Sequence, residues 1–504
     1  MHKRPATPTR AARQGPQTGE ASTSPQSVYC REGLRLSWPG RRWEPGSEVC
    51  ASARSLNQSP SLIPRLLALE GYGDGNAGET RARLILGDAL DVARTLAGEG
   101  LAGKVDLVYV DPPFASQAVY VHEARIEGPA DGRVVRSQAY DDRWGGELAD
   151  YLNMLAPRLE ALARLLAPSG TLWVHVDWRA SYLVRLLLDE ILGRDAFVNE
   201  IVWRRAPNLG RQAASHQFGR TLDTLIVYGG PEAALRPPTR LEPIDPAAIR
   251  TDEEGRPFTT APRGDYTDAS IARLDEEGRV HRTASGRVYV KYFLVKDEAG
   301  VWCRERRVDA LWTDVPPLRH ARPGERTGFP TQKPRALLDR ILACASPPDG
   351  LVVDVFAGSG TSGESAHALG RRFVLGDASP LALATSRARL LRAGAPLTVQ
   401  SCAGAQLLDG DPPSVRVERD LLETRVLLQE PKEPLAWAID ANWDGEGPFR
   451  AAWHAERVPG TKPRPAAREA ALAARPGRLA VRVWYDDGGV GTRVVSGSVL
   501  EDLP

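Results

Sequence analysis

The stretch that most constrains the fold lies at residues 351–377, where two strands flank a glycine-containing turn and a helix. The apolar run Leu351-Val-Val-Asp354 ends in an acid, and Gly358-Ser-Gly-Thr361 leads into the helix. The second strand, Arg372-Phe-Val-Leu-Gly-Asp377, places another acid 23 residues after Asp354. This spacing is typical of a nucleotide-binding βαβ unit, in which an acid about 20 residues on accepts the ribose hydroxyls. The stretch predicts an α/β fold with a Rossmann-like sheet, although a single Gly-x-Gly is not the dinucleotide fingerprint.

A second strand and turn lie at residues 105–114. Val-Asp-Leu-Val-Tyr-Val is an apolar, β-branched run, typical of a buried parallel strand. Asp111-Pro112-Pro113-Phe114 ends it, because consecutive prolines cannot continue a ladder. Open α/β sheets bind ligands at the carboxyl ends of their strands. At that edge, Asp111 and the proline-turn carbonyl are expected to accept the two N–H groups of an amine on a planar ring. Phe114 is expected to stack on the face of that ring. A strand that merely ends in a Pro-rich loop is the alternative.

Composition excludes several classes of protein. The 504 residues suffice for several domains, and a net charge of +1 means that any face for nucleic acid must be local. The five cysteines have no metal-ligand spacing, which indicates a reducing compartment and no metal site. No apolar run approaches the roughly 18 residues of a membrane span. We therefore expect a cytoplasmic protein that does not enter a membrane.

Other parts of the chain leave two interpretations open. Asp88, after the strand at 82–86, suits a helix N-cap and a ligand contact equally well. Residues 115–140 look polar and irregular, as in a loop that closes over a substrate. His175 is expected to be a core histidine with its hydrogen bonds satisfied. Arginines, an asparagine and glutamines cluster at 204–220, and such side chains form hydrogen bonds with base edges and phosphates. The alternative is an ordinary solvent-exposed face, because acids nearly balance these bases.

Together, Phe356-Ala-Gly-Ser-Gly-Thr361 and Asp-Pro-Pro-Phe resemble the amino-methyltransferases of DNA, which methylate an exocyclic base nitrogen with S-adenosylmethionine. The catalytic motif precedes the cofactor motif with a variable stretch between them, which resembles the permuted β class. The flanks most resemble the modification subunits of type III restriction systems: Ala139-Tyr-Asp-Asp-Arg-Trp144, Gly170-Thr-Leu-Trp-Val-His-Val-Asp177, Leu311-Trp-Thr-Asp314 and Pro330-Thr-Gln-Lys-Pro334. The similarity covers about 80–395. Val355 departs from it, because the family usually has proline there.

The resemblance implies a role for each matching position. Asp111, Pro112, Pro113 and Phe114 would hold a flipped base, with two N–H groups accepted by Asp111 and the Pro112 carbonyl. The cofactor site would be lined by Asp354, Phe356, Ala357, Gly358, Ser359, Gly360 and Thr361, with Asp377 on the ribose. Thr331 and Lys333 would approach the methionine carboxylate, and Asp88 the adenine ring or the acceptor side. No cysteine lies near these motifs, so a covalent thiol adduct is unsupported.

The resemblance also divides the chain. We expect a disordered arm at 1–77, the catalytic half of the methyltransferase domain at 78–230, a target-recognition region at 231–325, the cofactor-binding half at 326–397 and a β-rich C-terminal module at 398–504. Its implied partners are double-stranded DNA, a second copy of the chain as a homodimer, and a separate restriction subunit.

The acceptor is predicted to be adenine N6. Asp111 and Phe114 resemble the adenine enzymes, whereas cytosine-N4 enzymes commonly have Ser and Tyr there. Cytosine N4 is the first alternative, since its amine also lies beside a ring nitrogen. An RNA or protein-amide acceptor and a non-catalytic DNA-binding relative are more distant ones.

Overall fold

A computed structural model gives the positions of most of the chain. The structure describes residues 35–45, 64–70, 81–114, 116, 118–126, 133–143, 148–207, 216–419, 423–443, 448–457, 466–473, 476 and 478–496. Trp144, most of the arm at 1–77 and the middle of the arginine cluster, 208–215, lie outside these residues.

An eleven-stranded sheet forms the centre of the described chain. In spatial order its strands are β15 (Leu311–Trp312), β7 (Phe197–Arg204), β8 (Leu222–Gly229), β6 (Leu166–Asp177), β3 (Val105–Val110), β16 (Leu351–Asp354), β17 (Arg372–Asp377), β2 (Ala82–Leu86), β18 (Leu397–Ser401), β1 (Arg65–Glu70) and β23 (Phe449–Arg450). The strands from β6 to β18 pair in parallel, whereas β8 runs antiparallel to β6 and β7. The predicted Rossmann-like α/β sheet is confirmed.

Two strands from distant parts of the chain are neighbours at the middle of this sheet. Val352 of β16 lies opposite Leu107 of β3, and Asp354 lies opposite Tyr109. A strand that ends in Asp-Pro-Pro-Phe therefore runs beside the strand that ends in the glycine turn. This pairing is what the permuted order of the motifs requires.

Helices cover both faces of the central sheet. The described helices are α1 (Ala89–Leu96), α2 (Leu148–Ala163), α3 (Ser181–Leu192), α4 (Asp268–Glu276), α5 (Arg335–Ala345), α6 (Thr361–Ala368) and α7 (Pro380–Arg392), with a π turn (Ala97–Leu101) and 3-10 turns (Arg194–Ala196, Pro246–Ala248, Leu318–His320). Of these, α4 packs in a separate core, away from the central sheet. One apolar core contains side chains of α1, α2 and α3, and the other contains side chains of α5, α6 and α7. Because strand side chains alternate, Leu107 and Tyr109 enter the second core, and Val108 and Val110 the first. None of the described helices is long and apolar enough to cross a membrane.

A second sheet lies within the predicted recognition region. Its strands are β9 (Thr239–Pro243), β10 (Arg250–Thr251), β11 (Pro257–Pro262), β12 (Val280–Arg282), β13 (Val288–Lys296) and β14 (Trp302–Arg307). Ile271 and Leu274 of α4 pack with Val280 and Val290 in a small core of their own. The alternating pattern of β13 is typical of a strand, whereas most of the other strands are short and half exposed and carry a weaker local signal.

The region from 398 onward is rich in strands, as expected. After β18 they are β19 (Leu408–Asp409), β20 (Ser414–Arg419), β21 (Thr424–Glu430), β22 (Ala436–Asp440), β23, β24 (Trp453–Glu456), β25 (Glu469–Leu472), β26 (Arg478–Trp484) and β27 (Gly489–Ser496). They form one sheet of five strands and one of three, and β23 joins the central sheet. Ala436, Ala438 and Trp484 share a core with Leu383 and Leu391 of α7, so this module packs directly on the central sheet and its helices.

The expected disordered arm and the expected irregular loop are both wrong where the structure describes them. Within the expected disordered arm, β1 pairs with β18 and with β23, and Trp43 is buried and donates its indole N–H to Glu160 at 2.6 Å. Within 115–140, β4 (Val119–Ile126) and β5 (Arg133–Asp141) form an antiparallel hairpin. Both depend on pairing or packing partners that the local sequence pattern does not reveal.

Candidate active site

Four acids follow neighbouring parallel strands at one edge of the central sheet. Asp111 follows β3, and Asp354 and Asp377 are the last residues of β16 and β17. Asp88 comes two residues after β2. Parallel strands present their carboxyl ends together, so residues from both halves of the chain meet here.

These acids line one cavity of about 490 Å³. Of the fifteen positions predicted from the motifs, all except Gly360 line it: Asp88, Asp111, Pro112, Pro113, Phe114, Thr331, Lys333, Asp354, Phe356, Ala357, Gly358, Ser359, Thr361 and Asp377. Gly360 lies behind the wall, where a Cβ would come within 2.8 Å of the Ser386 Oγ, and its φ of 73° favours glycine. The cavity therefore joins the Asp-Pro-Pro-Phe corner to the glycine turn.

The Asp-Pro-Pro-Phe corner is held by a buried acid that motif reasoning did not single out. The Asp142 Oδ2 accepts the backbone N–H of Phe114 at 3.2 Å and that of Ser116 at 2.7 Å. Asp142 is fully buried, so these bonds fix the turn rather than compete with water. Its only sequence signal was its place in the flank Ala139-Tyr-Asp-Asp-Arg-Trp144.

Asp111 has one paired and one unpaired carboxylate oxygen. Oδ2 accepts a bond from the Lys333 Nζ at 2.5 Å. Oδ1 is buried and has no hydrogen-bond partner among the described residues. Because leaving a buried acceptor unpaired is costly, Oδ1 indicates a place where a ligand N–H or O–H would be favoured.

The ring of Phe114 lies against a buried polar group. His175, completely buried, has its ring centroid 5.9 Å from that of Phe114, and its Nδ1 is 2.9 Å from the Tyr109 hydroxyl. Its Nε2 lies 3.3 Å from the Asp223 Oδ2. Burial alone would raise the pKa of Asp223, but the hydrogen bond and charge of His175 and the charge of Arg205 outweigh it and lower that pKa. Both ring nitrogens thus have protein partners, as expected of a core histidine.

The glycine turn follows from the end of β16. Asp354 is buried and accepts the Phe356 N–H at 3.0 Å and the Ser362 hydroxyl at 2.5 Å, so it clamps the turn to α6. Burial raises its pKa to about 7. Gly358 has φ 51°, and a Cβ there would lie 3.2 Å from the Phe329 ring. The backbone at this position thus forms a cavity wall that no side chain could occupy without displacing an aromatic ring.

Asp377 braces the same turn from the next strand. Its Oδ2 accepts the Gly358 N–H at 2.9 Å, and its Oδ1 accepts the Ser379 N–H at 2.8 Å. Burial raises its pKa to about 6. Each oxygen keeps acceptor capacity, because a carboxylate offers about four lone-pair sites.

Asp88 caps a helix, the first of its predicted alternatives, and its side chain also lines the cavity. Its Oδ1 accepts the Leu90 N–H at 2.9 Å and so caps α1. Its Oδ2 pairs with Arg158 at 2.5 Å, and both side chains line the cavity. Arg158 was missed, because nothing in the spacing of α2 marks one of its arginines as facing a site.

The loop between 329 and 333 closes the opposite wall. Thr331 has φ 59°, an uncommon conformation for a residue other than glycine. The Thr361 hydroxyl donates to the Lys333 carbonyl at 3.2 Å, which ties this loop to the start of α6. Phe329 was also missed as a cavity residue, although it lies just before the matched Pro-Thr-Gln-Lys-Pro flank. Among the described residues, no group of three or more His, Cys, Asp or Glu side chains is arranged to hold a metal ion.

The charges around the cavity are unequal. Asp88, Asp111, Asp354 and Asp377 are acidic, whereas Lys333 and Arg158 are the basic lining residues. Two of the acids have raised pKa values, yet acids still predominate at neutral pH. The arrangement favours a ligand that carries positive charge and hydrogen-bond donors.

Two curated relatives are similar over the central part of the chain. The type II methyltransferase M.EcaI of Enterobacter cloacae is 25% identical over 321 residues, which cover 58% of this chain and 66% of that protein. The StyLTI Mod subunit, from a type III restriction-modification enzyme of Salmonella typhimurium, is 24% identical over 333 residues, 56% of this chain and 49% of that protein. The chain thus spans from about half to about two thirds of the length of these relatives.

Among solved structures, the M1.HpyAVI–SAM complex is 16% identical, with a TM-score of 0.35; the match covers 61% of this chain and 98% of that one. A family described as DNA methylase, the N6/N4 methyltransferases, matches residues 105–386. That match spans more than half of the chain and includes both motifs, so the protein belongs to the N6/N4 DNA methylase family.

Proposed function

We propose that the protein transfers a methyl group from S-adenosylmethionine to the N6 amine of adenine in duplex DNA. The observation that carries the proposal is the single cavity, in which the unpaired Asp111 Oδ1 and the glycine turn share one space. Family membership supports the methylation of DNA, and so does the similarity to a type II methyltransferase and to the Mod subunit of a type III restriction-modification enzyme.

The cofactor half of the cavity fits S-adenosylmethionine by its own chemistry. The turn at Gly358 allows close approach, and the surrounding acids suit the sulfonium and ammonium charges of that molecule. We assign Asp354, Phe356, Ala357, Gly358, Ser359, Gly360 and Thr361 to its binding, with Asp377 on the ribose. Thr331 and Lys333 would serve its carboxylate, and Asp88 its adenine or the acceptor side. When bound, it supplies an electrophilic methyl group.

The acceptor half of the cavity fits an aromatic amine. Such an amine is a poor nucleophile, because its lone pair is delocalised into the ring. Asp111 and the Pro112 carbonyl would accept its two N–H bonds and favour a pyramidal nitrogen, and Phe114 would stack on the ring. Asp142 and His175 hold that corner in place, so positioning and electrostatics supply most of the rate. The base reaches this depth only if it leaves the duplex.

Lys333 has a second assignment in this proposal. Its Nζ donates to the Asp111 Oδ2, so the ammonium holds one oxygen of this carboxylate and leaves Oδ1 for the amine of a base. We assign Lys333 to both halves of the site: it neutralises Asp111 before a base arrives and serves the cofactor carboxylate afterwards.

The proposal extends to the organisation of the protein. The second sheet, within 231–325, would be the target-recognition region, and duplex DNA the macromolecular substrate. A second copy of the chain and a separate restriction subunit are further proposed partners, the latter by analogy with the Mod subunit. A cytoplasmic location agrees with the lack of a membrane-spanning helix among the described residues.

The test is to identify the methylated base. DNA from cells with and without the protein is sequenced with modified-base detection, which also gives the recognition site. The same DNA is digested to nucleosides and analysed by mass spectrometry. We expect N6-methyladenine at one sequence motif. Detection of N4-methylcytosine without N6-methyladenine would show that the acceptor is cytosine. If neither methylated base is detected, the proposed reaction is contradicted.

A further inference from the structure

An aromatic and cationic patch lies beside the acceptor corner, outside the cavity. We call the surface of Trp178, Arg179, Arg205, Phe218 and Arg220 the aromatic–arginine patch. Phe218 is 100% exposed and Trp178 is 44% exposed. The guanidinium carbons of Arg220 and Arg179 lie 3.9 and 5.0 Å from the Trp178 ring centroid. Large apolar side chains left in water next to stacked arginines indicate a binding surface.

A continuous series of contacts joins this patch to Phe114. His175 contacts Phe114, and the Asp223 carboxylate pairs with His175 on one side and with the Arg205 Nε, at 2.7 Å, on the other. The Arg205 Nη2 then donates to the Arg220 carbonyl at 3.4 Å. The segment that carries Phe218 is therefore only a few side chains away from the ring proposed to stack on the base.

The charges of the patch suit a polyanion. Arg179 pairs with the buried Asp177, and Arg205 pairs with the buried Asp223. Arg220 has no carboxylate within ion-pair distance among the described residues, and it donates to the Gln217 side chain at 3.3 Å. Three guanidinium groups thus face two buried acids, and the exposed side of the patch is positive. Arginines bind DNA phosphates, and exposed apolar side chains enter gaps between base steps.

We propose that this patch contacts the DNA strand next to the extruded nucleotide, and that Phe218 enters the base stack where that nucleotide leaves. The inference rests on the proposed function. Extruding a base breaks its stacking and pairing, and an aromatic ring that takes the vacated place recovers part of that loss. Phe218 then acts on base extrusion, while Asp111 acts on the amine.

The experiment compares two duplexes that carry the methylation site found by sequencing. In one the target adenine pairs with thymine, and in the other it faces an abasic position, so that extrusion costs less. Tritium transfer is measured with the full chain, with Phe218→Ala, with Phe218→Trp and with Leu408→Ala. Leu408 is 49% exposed on the C-terminal module and serves as the matched control for loss of an exposed apolar side chain.

We expect Phe218→Ala to lower transfer to the paired duplex about 10-fold or more, on the scale of one lost base–aromatic stack. Transfer to the abasic duplex should return to within about 3-fold of the wild-type rate. Phe218→Trp should retain most activity, because it keeps an aromatic face, and Leu408→Ala should match the wild type. An equal loss on both duplexes, or no loss on either, overturns the role of Phe218.

Salt dependence tests the arginines of the patch. Arg220→Gln should reduce the slope of log Kd against log salt concentration by about 1, as for one lost phosphate contact. An unchanged slope overturns the contact with DNA. The activity of the wild type distinguishes failure of this inference from failure of the proposed function. If the wild type transfers no methyl group to DNA, the proposed function fails as well. If the wild type is active and the Phe218 and Arg220 variants behave like it, the inference alone fails.

Discussion

The Lys333 Nζ lies 2.5 Å from the Asp111 Oδ2, although 222 residues separate them in sequence. The ammonium also lies 5.0 Å from the centre of the Phe114 ring, within cation–π range. One lysine from the second half of the chain therefore contacts both chemically distinctive side chains of the first motif.

Lys333→Met should impair methyl transfer as well as cofactor affinity. The variant keeps an unbranched side chain but leaves the Asp111 carboxylate without its cation, and the loss of a charged hydrogen bond at a reacting site costs roughly 10- to 100-fold in rate. Single-turnover transfer and calorimetry measure the two effects. A variant that loses only cofactor affinity would contradict the second assignment of Lys333.

Asp111→Ala should abolish methyl transfer and keep cofactor binding. In the proposed reaction its hydrogen bond is to the reacting amine, so its removal should affect the chemical step. We expect a decrease of about 100-fold or more in tritium transfer, with the dissociation constant for S-adenosylmethionine within about 3-fold of wild type. Transfer at the wild-type rate would rule out the role of Asp111.

Gly358→Val should prevent cofactor binding. The substitution forces a branched side chain onto a residue with φ 51° and brings a Cβ to 3.2 Å from the Phe329 ring, at the cavity wall. Gly370→Val is the matched control, because Gly370 has φ 70° but open space around it. Calorimetry should detect no binding by the Gly358 variant and normal binding by the Gly370 variant. Equal affinities in the two would show that the turn does not contact the cofactor.

Asp354→Asn should stabilise the cofactor-free protein at high pH. Burial raises the pKa of Asp354 to about 7, so the folded protein holds a proton that the unfolded chain releases near pH 4. Stability from this group is therefore greatest below about pH 4 and falls as pH rises toward 7. The gain in the free energy of unfolding should grow between pH 5 and 8, on the order of a few kcal/mol at most.

Denaturant unfolding at several pH values measures that gain, with Asp265→Asn, an exposed position, as the control. A constant difference between the Asp354 variant and the wild type across this range would contradict the effect of burial.

Gly488→Val should weaken cofactor binding from outside the cavity. Gly488 has φ 88°, and a Cβ would lie 2.5 Å from the backbone nitrogen of Leu381, in the first turn of α7. That helix directly follows Ala378 and Ser379 of the cavity lining. Gly300→Val, with φ 81° and no close neighbour, controls for backbone strain alone. Thermal unfolding is measured with and without cofactor. The rise in melting temperature that the cofactor causes should be smaller for the Gly488 variant than for the Gly300 variant. An equal rise in the two would show that the C-terminal module does not affect cofactor binding.

The sequence predicted the residues that line the cavity better than the residues that hold them in place. Asp111 and Asp377 were found because each ends an apolar strand, and local patterns identify such positions. Asp142 and Arg158 were not found, because their importance arises from contacts across the fold. Strand β1 was missed for the same reason, since its hydrogen-bond partners lie more than 300 residues away. Lys333 was found, but only the structure places it on Asp111.

The first and last strands of the second sheet, in chain order, pair with each other. Thr239 of β9 lies opposite Arg307 of β14, and the Val308 N–H donates to the Pro238 carbonyl at 2.9 Å. The chain therefore enters and leaves this sheet at adjacent points. A segment with such neighbouring ends can be exchanged between related proteins without altering the spacing of the strands around it. Under the proposed target-recognition role of this segment, its exchange alone would give a new sequence specificity on an unchanged catalytic framework.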